Sequence, residues 1–99
     1  EYGWAKVKGQ SMNAHQPIPI EEGDYVLFGK PWHENQDAIV IACRFFVETE
    51  NEYLTKKFVA KDCLLVSVTN DTSQEYPPIR LNDEYTILGT VIAVAKPKK

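Results

Sequence analysis

The sequence predicts a mostly-β domain, a small sheet system or barrel of antiparallel strands, and three observations predict it. Apolar, β-branched and aromatic residues come in short runs separated by turn residues. Two longer stretches are rich in Pro, Asn and Asp and read as loops. No long stretch carries helical apolar periodicity.

Taken in order, Trp4-Ala5-Lys6-Val7 alternates before Gly9 and reads as a strand. The segment from Asn13 to Glu22 holds Pro17 and Pro19, which exclude a central strand or helix interior. A turn or two of helix around Ser11 to His15 is the one helical expectation. Tyr25-Val26-Leu27-Phe28 is an apolar strand between Gly23-Asp24 and Gly29-Lys30-Pro31. A strand follows from Ala38 to Val47, then a polar turn through Glu48-Thr49-Glu50-Asn51, then a strand from Glu52 to Val59. Leu64 to Thr69 is next. Asn70 to Asp83 is a loop, with Asn70-Asp71, Pro77-Pro78 and Asn82-Asp83 as turn chemistry. Tyr85 to Val94 closes the set.

The 99 residues suit one small domain, expected over residues 1–95, with a flexible basic tail at 96–99. Hydrophobic content of 43% and charged content of 25% are ordinary for a globular chain. A lone domain of this size buries little surface, so a dimer would help it. The net charge of −3 and scattered basic residues give no nucleic-acid patch, and no direct DNA contact is expected. No stretch approaches the ~20 apolar residues that span a bilayer, and no signal peptide is visible. The chain starts at Glu1, which reads as a fragment or processed product. Cys43 and Cys63 lie in apolar runs and are expected to be free, buried thiols. His15, His33 and the cysteines offer no close-spaced ligand pair, so neither a metal nor a cofactor is expected.

The chemistry centres on Gly9-Gln10-Ser11-Met12. Glycine permits a tight backbone path, so the Ser11 hydroxyl and nearby backbone N–H groups can point into one cleft. By itself Gly-x-Ser in a loop is a common turn. A serine needs a base, and His15 and His33 both read as exposed loop residues. Lysine is the other solution, provided its pKa falls toward ~7–8. Burial among apolar groups lowers it, because desolvation disfavours the ammonium. In Tyr53-Leu54-Thr55-Lys56-Lys57-Phe58-Val59, residues two apart share a face. Lys56 then lies with Leu54 and Phe58, whereas Lys57 lies with Tyr53, Thr55 and Val59. Lys56 is the better candidate, although a pair of surface lysines on an edge strand is equally ordinary.

Val7-Lys8-Gly9-Gln10-Ser11-Met12 resembles the nucleophile motif of the LexA/UmuD family of self-cleaving proteins. The segments Pro19 to Leu27, Asp37 to Ala42, Leu54 to Phe58, Leu64 to Ser67 with Asn70 and Tyr76-Pro77-Pro78-Ile79, and Ile87 to Val94 resemble that family's successive motifs in order. The resemblance implies a LexA-like or signal-peptidase-like β-barrel with a serine–lysine dyad. Ser11 is the implied nucleophile, Lys56 the general base, and the N–H groups of Gln10 and Ser11 the oxyanion donors. It further implies a cytoplasmic bacterial or phage protein, a homodimer, that cuts its own upstream segment with a RecA-type filament as co-activator. The implied whole is an SOS-type transcriptional repressor, or else a UmuD-like polymerase accessory subunit. A dimerisation or partner-binding domain with an idle dyad is the non-enzymatic alternative. Type I signal peptidases share the dyad, but Asn70 to Ile79 fits the LexA side better. With only ten residues before Ser11, the bond to be cut is expected to lie outside this chain. Three departures stand out: Gln36 replaces a usual Gly, the hairpin from Arg44 to Tyr53 is long, and Trp32-His33-Glu34-Asn35 reads as inserted.

Overall fold

The computed structural model describes residues 2–9, 11–16, 19–29, 32–44, 52–81 and 84–97. Seven strands make one antiparallel sheet: β1 (Tyr2–Lys6), β2 (Tyr25–Gly29), β3 (Ala38–Arg44), β4 (Glu52–Val59), β5 (Leu64–Val66), β6 (Ile79–Arg80) and β7 (Tyr85–Ala95). Their order across the sheet is β1-β2-β7-β3-β4-β5-β6, so the last strand is inserted between β2 and β3. No helix forms among the described residues, and the segment Ser11 to Ala14 is a set of turns around an isolated Met12–Ile20 bridge. The expected loop at Asn70 to Asp83 contains the short strand β6. The expected stretch from Phe45 to Asn51 lies outside the described residues.

The sheet is curled. Between β7 and β6 lie four strand spacings, about 19 Å in a flat sheet at ~4.8 Å each. The chain from Arg80 to Tyr85 reaches at most about 18 Å over its five links. The strands must therefore fold toward one another, and Ile79 and Leu81 pack on the same cluster as Tyr85 and Ile87. Register shifts bend the ladders at Leu27/Phe28 and at Ile41/Ala42. Gly89 sits at the second shift, where a Cβ would come within 2.5 Å of the Gly29 carbonyl oxygen. The edges β1 and β6 do not pair with each other, so the sheet is open among the described residues.

Alternation along β3 divides the core. Ile41 faces a cluster with Val7, Met12, Ile20 and Val26. Val40 and Ala42 face the other way, toward Phe58 and Leu65. Trp32 closes this second cluster, its ring edge-on to Phe58 with centroids 5.3 Å apart. The inserted-looking segment is thus anchored by its tryptophan, and Trp32 to Asn35 line an open cavity of about 410 Å³. Cys43 is a buried thiol, but Cys63 is exposed. It occupies a left-handed backbone position (φ 53°) in the β4–β5 turn, which points its side chain away from the apolar run that follows.

Candidate functional site

The β4–β5 hairpin places the lysine. Strand parity turns Lys56 and Phe58 inward, and Lys56 lies opposite Val40 with only 8% of its surface exposed. Lys57, on the other face, is half-buried. The Lys56 amine donates to the Ser67 hydroxyl at 2.7 Å. The register explains this bond. Val59, Phe58 and Lys57 pair with Leu64, Leu65 and Val66, so the next position along brings Ser67 opposite Lys56. The Tyr76 ring adds a cation–π contact, its centroid 5.5 Å from the amine.

The loop after β1 places the serine. Val7 continues beyond β1 by pairing with the Gly23–Asp24 turn. Gly9 then takes a left-handed conformation (φ 79°), which costs an L-residue dearly and turns the chain toward Ser11. Buried Met12 anchors the loop in the first core cluster. The Ser11 hydroxyl reaches β4, donating to the Thr55 carbonyl at 3.4 Å. That carbonyl belongs to the residue before Lys56, just past the point where the β4–β5 ladder stops at Lys57.

A second tie fixes the two parts together. The Asn13 side-chain oxygen accepts from the Thr69 hydroxyl (3.0 Å) and the Asn70 N–H (2.9 Å), and Ala14 N–H donates to the Val68 carbonyl. The segment carrying Ser11 is therefore docked on the segment carrying Ser67. The following loop is organised by Asp71, which accepts from Ser73 and from the Tyr76 hydroxyl. The Tyr76 bond, then those from Ser73, hold the Asp71 carboxyl below the usual carboxylate range. On the opposite side, Lys96 donates to the buried Asp24 carboxylate at 2.6 Å and approaches Glu21 at 3.4 Å. The Asp24 bond holds Lys96 above the ordinary lysine range. Lys96, the first residue of the expected basic tail, bonds the loop that follows Ser11.

No protein-family model matches the chain, and no curated protein matches it in sequence. The site therefore stands on its own geometry. Of the expected residues, Ser11 bonds the main-chain carbonyl of Thr55, the residue before Lys56 on β4, while the Lys56 amine bonds Ser67, and Gln10 lies outside the described residues. His15 is half-buried in the serine loop, while His33 is exposed at the Trp32 cavity. Among the described residues no cluster of His, Cys, Asp and Glu could hold a metal, and no helix is long and apolar enough to cross a membrane. Ser67, Asn13 and Tyr76 were not among the expected site residues. The signal for Ser67 was present: a four-residue turn at Ala60 to Cys63 sets the hairpin register that puts it opposite Lys56.

Proposed function

We propose that this chain is a serine peptidase domain that works on a segment of its own polypeptide, with Ser11 as nucleophile and Lys56 as general base. The observation that carries the reading is the buried Lys56 amine, held by Ser67 beside the strand position that the Ser11 hydroxyl touches. A buried, hydrogen-bonded lysine is uncommon without a task, since burial disfavours its charged form. In its neutral state the amine keeps a lone pair while an N–H still donates to Ser67. It takes the Ser11 proton as the oxygen attacks the scissile carbonyl. It returns that proton to the leaving nitrogen as the acyl-enzyme forms, and water then releases the acyl group. The Ser11 N–H is the described candidate for stabilising the oxyanion. A tethered substrate needs little binding energy, because its effective concentration is high.

On the sequence resemblance, the whole protein would be a self-cleaving repressor of the LexA type, with a UmuD-like polymerase subunit as the alternative and a RecA-type filament as co-activator. The barrel of that family is the corresponding reading of the curled sheet. A binding-only domain is favoured by one observation, the Ser11 hydroxyl donating to a main-chain carbonyl. One experiment separates the readings. A chain extended upstream by a candidate cleavage segment is incubated across pH 6 to 10, with the Ser11→Ala and Lys56→Met variants alongside. Cleavage that rises with pH and is lost in both variants supports the peptidase. Cleavage that persists in either variant, or none in the parent chain, removes it.

A further inference from the structure

The edge strand β1 carries an aromatic face that no described residue covers. Tyr2 is 74% and Trp4 57% exposed, and Lys6 is exposed on the same face. On the neighbouring strand, Tyr25 lies beside Lys6 and Leu27 beside Trp4. Tyr25 is also exposed. The inner face of β1 is small: Gly3, against which the Phe28 ring packs, and Ala5. Among the described residues, the far edge of β1 pairs with no strand. An unpaired edge with exposed aromatics is a template for strand addition.

We infer that β1 pairs antiparallel with β1 of a second copy of this chain, about a two-fold axis at Trp4, continuing the sheet from one copy into the next. The strand is self-complementary in that register. Trp4 meets Trp4, Gly3 meets Ala5, and each Lys6 meets Tyr2 of the second copy. The lysine stem then lies between Tyr25 of its own sheet and Tyr2 across the axis, an arrangement suited to cation–π contact. The two Lys6 residues fall about 13 Å apart, four residues along the strand, so no like charges oppose. This is the only antiparallel register in which all five residues of β1 are paired. The same patch is used by both copies, as a two-fold interface requires. The inference is independent of the peptidase reading, and its test needs no cleavage.

The test uses cysteine cross-linking in a Cys63→Ser background, since Cys43 is buried. Directly opposed residues sit about 4.5–5.5 Å apart between Cα atoms, within disulfide range. Trp4→Cys should form a covalent dimer under mild oxidation. Tyr2→Cys and Lys6→Cys should each fail alone and cross-link when mixed. Sedimentation equilibrium supplies the second measurement: Trp4→Glu sets two carboxylates face to face and should weaken dimerisation about tenfold or more. The inference is overturned if the unmodified chain stays monomeric at high micromolar concentration. It is equally overturned if Trp4→Cys does not cross-link, if Tyr2→Cys cross-links alone, or if a folded Trp4→Glu variant dimerises undiminished.

Discussion

Replacing Lys56 with methionine tests whether this lysine serves chemistry or merely holds the fold. Methionine keeps a stem of similar length against Val40 and Phe58 and removes the amine. Two of its favourable interactions, both with described residues, go with it. The bond to Ser67, 2.7 Å long, contributes about 1.5–3 kcal/mol if the amine is charged. The Tyr76 contact contributes about 0.5–1 kcal/mol. Against these stands the desolvation of a group only 8% exposed, several kcal/mol for a buried ion, which the substitution relieves. The terms nearly cancel, and the expected change in stability is within about 1 kcal/mol of zero. In urea, with a slope of about 1.5 kcal/mol/M for a domain this size, the midpoint should move by less than about 0.7 M. Cleavage of the upstream-extended chain should meanwhile disappear. A loss above about 3 kcal/mol, the range found when a structural charge partner is removed, would refute the reasoning. Lys56 would then be an anchor of the β4–β5 hairpin.

Phe58→Ala empties a fully buried site and breaks the Trp32 contact, so urea unfolding should show a loss of about 3–5 kcal/mol. Lys96→Met should cost no more than about 1 kcal/mol near neutral pH, because the lysine end of its pair is partly solvated. The Lys96 pKa is raised, so its contribution is complete below the unfolded lysine value and is lost as pH climbs through the folded one. Thermal unfolding of the variant and the parent chain should therefore converge as pH climbs past the raised Lys96 value. The Asp71 pKa is lowered, so its contribution is present above the unfolded carboxylate value and lost as pH falls through the folded one. Asp71→Asn should remove that acid transition, read from the Tyr76 ring resonances as pH falls through and below the ordinary carboxylate range.

Much of the sheet was legible because alternation is local. The run Tyr25 to Phe28 is contained in β2 and the run Glu52 to Val59 is β4, and parity alone turned Lys56 inward. What could not be read was long-range. Nothing in Tyr85 to Ala95 announces that this strand enters between β2 and β3, since pairing partners are chosen by the whole core. Ile79-Arg80 is too short to show a period and follows Pro77-Pro78, so the sequence reads as loop where β6 forms. Cys63 was expected inside because it opens an apolar run, but a left-handed turn position overrides hydrophobic preference there. Asn13 looked like turn chemistry. Its use as a clamp on Thr69 and Asn70 depends on two segments more than fifty residues apart in sequence.

The inserted position of β7 also sets the timing of assembly. Ser11 belongs to a two-strand piece, β1–β2, and Lys56 to a four-strand piece, β3 to β6. Within the sheet, these pieces are bridged by β7 alone. As the chain leaves the ribosome, each piece can form its hairpins while presenting a raw edge to the other. Without β7, the serine and lysine pieces would be joined only by the Asn13 clamp, the Ser11 and Ala14 bonds and the packing on Ile41. Under the peptidase reading, an agent that prised β7 loose would weaken the site while leaving both pieces largely built.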